Sequence, residues 1–518
     1  MLVKIRRLTQ ILFIFFFIYF FLRARYPYEA APPADLFLRF SPLMPLFDFI
    51  KYLHISWYFW PALLILLITP LLGRVFCGWM CPLGTLLDAA SKILKSANNR
   101  YSEKWHKLRY LKFALLAFLI LASFFSLHLW GYFDPLSIFN RALTVIFYPF
   151  FTLLTESALQ SGQKLPFFGP GFDVVYDLFK DTLMPENQAH LQQVFWIFLF
   201  IAAIVSLEKI SRRFWCRYLC PVGALLGFLS QFRFLERVVA PSCPACNVCQ
   251  TDCKMNAIPK DDLAHTSKVE CIQCFSCAAN CPPDFKSISY RWRWRPYRSK
   301  VDLNRRQFIT TSAASVAAVG LISIGLSSHE KQNRLIRPPG ALPENDFLDQ
   351  CIRCEECVRI CASNGACLQP GAIQSSLLEL WAPAAVMREG YCEYNCNLCT
   401  QVCPTQALQP LTLAKKQNYK MGLAIFDKNS CIPYNQNEDC LVCEEHCPTP
   451  NKAIKFQIKE ALTKDGRLKK VKFPYVEPAL CIGCGICEYK CPLPGKAGIV
   501  VVKNANQTGL QKNVFSLL

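Results

Sequence analysis

The sequence predicts an α-helical membrane domain, four spans plus a fifth signal-anchor helix, joined to small cysteine-rich α+β modules. Two observations predict it. Just over half of the 518 residues are hydrophobic and only 18% are charged, with Phe at 40 positions, a balance that suits lipid better than water. The 29 cysteines recur at short fixed intervals, as metal ligands do and scattered disulfide partners do not.

The spans come first. Apolar runs at 8–22, 57–72, 111–130 and 192–207 are read as crossings of a hydrocarbon core that takes about 20 residues. Lys4, Arg6 and Arg7 precede the first run, and Arg74, Lys92, Lys95, Arg100, Lys104, Lys107, Arg109 and Lys112 separate the second from the third. Both segments belong inside by the positive-inside rule. The 131–191 loop carries six acidic residues against Arg141, Lys164 and Lys180 and belongs outside, with its apolar 142–154 stretch lying along the interface. Basic residues return from Lys209 to Arg306, including the run Arg291-Trp292-Arg293-Trp294-Arg295, read as an inner-surface anchor.

Arg305 and Arg306 open an Asn-Arg-Arg-Gln-Phe-Ile element ahead of an apolar Ala/Ser/Gly-rich stretch to about Ser327. This reads as a twin-arginine export signal kept as an anchor. The expected plan is therefore a membrane domain over 1–235, an inner two-cluster module over 236–300, the signal-anchor over 301–328, and a four-cluster module over 329–518 in the periplasm. The chain is expected in a bacterial cytoplasmic (inner) membrane as a multi-pass protein.

The modules rest on cysteine spacing. Cys243, Cys246, Cys249 and Cys253 form a Cys-x2-Cys-x2-Cys-x3-Cys run, and Cys271, Cys274, Cys277 and Cys281 repeat it with Pro282 following. That is the bacterial ferredoxin signature, in which the fourth cysteine ligates the neighbouring 4Fe-4S cluster. Cys253 then completes the set of Cys271, and Cys281 that of Cys243. Structural zinc is less consistent with paired runs ending in proline. Four further quartets follow: Cys351, Cys354, Cys357 and Cys361; Cys392, Cys396, Cys399 and Cys403; Cys431, Cys440, Cys443 and Cys447; Cys481, Cys484, Cys487 and Cys491. Six clusters in ferredoxin-like α+β modules, a polyferredoxin, are expected. Cys367 remains outside the quartets and reads as a buried apolar cysteine.

Two more pairs stand apart. Cys77 and Cys81 precede Pro82, and Cys216 and Cys220 precede Pro221, in matching contexts that suggest a duplicated two-helix unit. Positions i and i+4 share one helical face, and Arg74, Arg213 and Arg217 nearby favour thiolates. A redox or metal site at the membrane face follows, with a reversible disulfide and a bound metal both open.

The formal charge of +20 counts every cysteine as neutral. Six oxidised clusters of about −2 each would leave about +8, and much of that flanks the spans, so no nucleic-acid partner is expected. After Ser327, 22 Lys/Arg against 18 Asp/Glu become a weakly acidic face once clusters are loaded. No Cys-x2-Cys-His element is present, so c-type haem is not expected; b haem is not favoured either. His54 and His128 stand near outer span ends and are candidates to border a quinol pocket. No nucleotide loop or nucleophile–base constellation is present, which leaves an electron-transfer component as the reading, with enzyme status open.

With these residues in view, the chain resembles a fusion of two ferredoxin-type families of periplasmic nitrate reductase systems, NapH and NapG, and is similar to the MauN and MauM families of methylamine utilisation. Up to about Lys300, both Cys-x3-Cys-Pro elements, Phe133-Asp134-Pro135-Leu136 and two cluster runs resemble NapH. From Asn304 on, Arg305-Arg306 and four quartets resemble NapG. The membrane half also resembles NosR-type proteins, where maturation roles enter. The resemblance implies quinol or menaquinol oxidation and electron delivery from the quinone pool to a periplasmic redox protein or reductase, with assembly of a metalloenzyme as the alternative. It also implies that Cys361 and Cys491 exchange clusters, as do Cys403 and Cys447.

Overall fold

The computed structural model describes residues 2–28, 31–94, 107–163, 191–259, 261–283, 286–293, 335–372, 377–462 and 468–503, with isolated positions elsewhere. Arg305 and Arg306 lie outside the described residues.

Helix α1 (Leu2–Arg23) is followed by α2 (Leu43–Tyr52), α3 (Trp60–Leu72), α4 (Pro82–Ile93), α5 (Leu111–Phe124), α6 (Pro135–Gln163), α7 (Val194–Ser206) and α8 (Pro221–Leu229). Proline opens α4, α6 and α8, where its fixed φ suits the first turn and its missing N–H leaves no orphan donor. Among the described residues, α1 and α6 are long and apolar enough to cross a membrane. The other apolar runs form shorter helices with identifiable stops. Helix α3 ends at Gly73, whose φ is +88°; α5 ends before Ser126 at φ +56°, and α7 begins after Gln193 at φ +66°. Hydropathy does not register such left-handed breaks. Where the sequence suggested an outside loop with an interfacial stretch, α6 runs as one helix with a π-helical segment at Leu143–Phe147.

Aromatic packing binds the helices. Phe17 of α1 meets Phe37 and Phe139 edge-on at 4.9 and 5.1 Å, and all three are buried in one core with residues of α3, α4, α5 and α8.

Two cysteine-rich modules dock at opposite ends of these helices. Residues 235–292 are closed by antiparallel strands β1 (Leu235–Val239) and β2 (Ile288–Trp292). Arg291 and Trp292, expected in a surface anchor, are part of β2, with Trp292 stacked on Phe234 at 5.8 Å. This module meets the C-terminal end of α3, where Phe234 N donates to Leu71 O at 3.2 Å, and the start of α5, where Lys112 Nζ meets Glu270 at 2.6 Å. The C-terminal module meets the reverse ends. Tyr26, past α1, donates its N–H to Ser363 Oγ at 2.8 Å; Arg353 donates to His128 O beyond α5 at 3.1 Å; Tyr132 Oη, ahead of α6, donates to Leu380 O at 2.7 Å; and Gln192 N, ahead of α7, donates to Gln369 Oε1 at 2.9 Å. At 1.5 Å per residue α1 alone separates these ends by about 33 Å.

Within the C-terminal module, strands β3 (Leu368–Pro370) and β4 (Pro383–Ala385) pair, β5 (Leu423–Phe426) pairs with β8 (Ile499–Val502), and β6 (Ile454–Leu462) forms a hairpin with β7 (Leu468–Val476), all antiparallel. The short strands leave the cysteine loops to fill much of the interior.

Candidate metal centres

Four of the six quartets share one backbone device. In the Cys243, Cys271, Cys351 and Cys481 runs, the residues just before and just after the second cysteine are left-handed: Ala245 and Asn247, Gln273 and Phe275, Arg353 and Glu355, Gly483 and Gly485, with φ from 52° to 80°. Six of the eight are not glycine, a conformation costing about 1–2 kcal/mol each for an L-residue and retained where a site requires it. The loop coils round the second cysteine, and a short helix begins directly after each second left-handed residue, bringing the third cysteine onto its first turns. The Cys392 and Cys431 quartets, whose spacings differ, do not use it.

The tertiary fold then brings together cysteines far apart in sequence. One cavity is lined by Cys271, Cys274, Cys277 and Cys253, the cross-ligated grouping expected from the spacing. A second is lined by Cys431, Cys440, Cys443 and Cys491. Cys403 lies in electrostatic reach of Cys351, Cys354 and Cys357, Cys361 in reach of Cys392, Cys396 and Cys399, and Cys447 in reach of Cys484 and Cys487. The exchange implied by resemblance, Cys361 with Cys491 and Cys403 with Cys447, is corrected: the first quartet exchanges with the second, and the third with the fourth. Backbone contacts explain it. Tyr391 N donates to Gly365 O at 2.8 Å, tying the first two quartets, and Asp427 N donates to Gly498 O at 3.0 Å, tying the last two. Cys392 N donates to Cys484 O at 2.8 Å, joining the pairs, so the groups run in the order first, second, fourth, third.

Burial pushes Cys253 and Cys351 up to about 11 and Cys277 and Cys443 up to about 12. These are neutral thiols until a metal displaces their protons. Among the described residues no three His, Cys, Asp or Glu side chains are gathered as one metal ion requires. Each of the two cavities is lined by four cysteines, the ligand number and donor type of a 4Fe-4S cluster.

The group of Cys351 sits on the helical bundle. Cys354 belongs to the same buried cluster as Phe17, Trp130 and Phe139. Asn140 Nδ2 donates to Cys354 O at 2.9 Å and to Glu356 Oε2 at 2.7 Å. Glu355 and Glu356 are buried between Cys354 and Cys357, and burial pushes both carboxyls up to about 8, against Arg141 and Arg353 for Glu355 and against Asn140 and Arg359 for Glu356. Sequence reasoning named the cysteines but missed Asn140, Glu355 and Glu356, because adjacent glutamates in a polar loop read as surface. Asp134 of the outer motif caps α6, accepting from Ser137 N at 2.9 Å and from Ser41 Oγ at 2.5 Å. His54 is exposed and His128 is buried against Phe47. Cys367 is buried as expected, its sulfur 3.9 Å from that of Cys361.

The two Cys-x3-Cys-Pro elements converge. Each of Cys77, Cys81, Cys216 and Cys220 lies in electrostatic reach of the other three. Cys77 and Cys216 sit in π-helical turns (Phe76–Met80 and Trp215–Leu219), and Cys81 and Cys220 are the N-caps of α4 and α8, not members of one α-turn. The expected lowering by arginine is also corrected: burial outweighs Arg74 and Arg213 and raises Cys81, Cys216 and Cys220.

Comparison with known proteins follows this geometry. A family model described as a 4Fe-4S binding domain matches residues 53–100 and 192–238. The chain is 34% identical over 195 residues to the ferredoxin-type protein NapG of Escherichia coli, covering 36% of this chain and 80% of that protein. It is 35% identical over 194 residues to the methylamine utilization ferredoxin-type protein MauM of Paracoccus denitrificans, covering 36% and 82%, and 28% identical over 222 residues to the putative electron transport protein YccM of E. coli, covering 42% and 51%. No solved structure matches. Iron–sulfur clusters are therefore the cofactor class of these cysteine loops, electron transfer is their class of activity, and over about a third of its length the chain belongs to the NapG/MauM family of ferredoxin-type proteins.

Proposed function

We propose that the chain is a membrane-bound polyferredoxin that moves electrons between the quinone pool and a periplasmic redox enzyme through six 4Fe-4S clusters, with a NapH-like half over 1–300 and a NapG-like half after it. The observation that carries this reading is the placement of cysteine groups at both ends of one helical bundle, with the outer four in an unbroken series. The group of Cys351 rests on the bundle and the group of Cys431 lies farthest along the series. Quinol oxidised at the outer end of the bundle feeds the first group, and the third quartet hands electrons to the partner.

The topology proposed with it puts the 235–292 module in the cytoplasm and the C-terminal module in the periplasm. Charge supports that orientation: Arg6, Arg74, Lys112 and Arg213 cluster at the inner end, as basic residues do on the cytoplasmic side. The shorter apolar helices α3, α5 and α7 are proposed to cross beside α1 and α6, their 3₁₀ extensions and the docked modules completing the thickness.

The test is reduction by quinol. The full chain in nanodiscs, fully loaded with iron, is given a menaquinol analogue and followed by EPR. Reduced clusters belonging to the C-terminal module are expected; no reduction at full loading would remove the quinone reading. A second reading, an assembly factor that supplies electrons to a metalloenzyme, draws on the buried thiols at the inner end. A strain lacking the gene would then hold a partner enzyme without its cofactor, whereas loss of a conduit leaves a loaded enzyme starved of electrons.

A further inference from the structure

Four buried thiols meet where the two copies of a short motif face each other, and each copy sends an arginine into the other. Arg213, three residues before Cys216, donates to Cys77 O at 2.9 Å and to Gly84 O at 3.1 Å. Arg74, three residues before Cys77, lies against Gly223 so closely that a Cβ there would sit 2.7 Å from its Nη2. The exchange is two-fold in pattern: Arg74 crosses to Cys220 and Gly223, and Arg213 crosses to Cys77, Cys81 and Gly84.

The charges here are not balanced by protein groups alone. Arg6, Arg74, Arg109, Lys112, Arg213, Arg217 and Lys254 surround the set and the adjoining Cys271 group, and among the described residues they face Asp88, Glu208 and Glu270. Four more cations than carboxylates are thus held in a region shared with the Cys271 group. Arg74 is wholly buried; its Nη1 donates to Val269 O at 2.9 Å, and its other partners are the Cys77 and Cys220 sulfurs and Glu270. A buried guanidinium so placed is costly unless anions complete its shell. Two disulfides would be neutral and would leave the excess in place. Four thiolates round an iron–sulfur core carry about −2 overall, so one such group here beside the one at the Cys271 set matches it.

We propose that Cys77, Cys81, Cys216 and Cys220 together ligate one further iron–sulfur cluster, shared between the two copies of the motif, with Arg74 and Arg213 as its crossed counter-ions. This is independent of the six quartets. It also goes beyond the family description, because the two matched segments, 53–100 and 192–238, contain these four cysteines and no others and so hold one group between them. The Cys271 group is its neighbour: Arg6 is in electrostatic reach of both Asp88 and Cys274, and Ile272 O would be 2.3 Å from a Cβ at Gly78, the residue after Cys77.

The experiment is an iron and sulfide count with Mössbauer spectroscopy on the full chain purified anaerobically, for wild type and for Cys77→Ser, Cys216→Ser and their double variant. The wild type is expected to hold about 28 irons, and each single variant about 24. The double variant should lose no more than either single one, since one group is removed in each case. A wild-type count of about 24, additive losses in the double variant, zinc or copper in place of iron, or alkylation showing these cysteines as disulfides would each overturn the proposal. The wild-type count decides the matter even where a variant fails to fold.

Discussion

Arg141 holds the backbone of Arg353 across the junction between bundle and C-terminal module. Arg141 Nε donates to Arg353 O at 2.9 Å, and both guanidiniums lie over the ring of Tyr132, at 6.0 and 4.5 Å. Arg353 is also one of the left-handed residues that coil the first ligand loop, so the contact that docks the module also shapes a site.

Replacing Arg141 should therefore damage docking and cluster together. Arg141→Ala removes the bonds to Arg353 O and Gly131 O and leaves those buried carbonyls short of a donor, at about 1–3 kcal/mol each. Asn140→Ala removes bonds to Cys354 O and Glu356 and should cost about 1–3 kcal/mol. Both variants should lower the melting temperature, open the 341–362 region to proteolysis, and alter the EPR spectrum of one cluster. Unchanged proteolysis would show that the junction is not held here.

Ligand exchange is open to a non-additivity test. Cys351→Ser and Cys403→Ser strike one cluster and together should cost about four irons, whereas Cys399→Ser with Cys403→Ser strikes two and should cost about eight. The reverse pattern would place all four ligands of each cluster within one quartet and contradict the exchange.

Two glycines separate backbone conformation from crowding. Gly495 has φ +73° and open space beside it, so Gly495→Ala should cost about 1–2 kcal/mol. Gly483 has φ +71°, and a Cβ would fall 2.4 Å from Gly422 N. Gly483→Ala adds an overpacking cost of about 1–3 kcal/mol and should release iron from the Cys481 group, which Gly495→Ala should not. Denaturant titration and iron analysis read both.

Acid should weaken one latch in the C-terminal module. Burial alone would raise Glu344, but Arg337 at 2.6 Å and Lys503 at 3.2 Å outweigh it and hold the carboxyl below the usual glutamate range. A folded pKa below the unfolded one contributes stability that is complete above about pH 4.3 and is lost as pH falls through the folded value. Wild type should exceed Glu344→Gln in stability by a constant margin near neutrality, and that margin should shrink below about pH 4. A margin independent of pH would show that the carboxylate charge is not what matters.

The ligand loops were legible because iron sites are local: x2-x2-x3 spacing fixes where thiols stand on a coiled loop, and Cys253 joins the Cys271 set as spacing implies. Pairing among the outer quartets was not, since it depends on contacts such as Tyr391 to Gly365 that spacing does not encode. Hydropathy found the apolar helices and missed their ends, which Gly73, Ser126 and Gln193 set through left-handed backbone. The repeated Arg-x2-Cys-x3-Cys-Pro-x-Gly pattern was visible as a duplication. That each arginine crosses to the other copy appears only once the fold brings the two motifs face to face.

Iron content tests the central claim most directly. Mössbauer and metal analysis of anaerobically purified full-length chain should give cubane clusters only, with at least about 24 irons per polypeptide. Far fewer irons, or zinc on the quartets, would contradict the account.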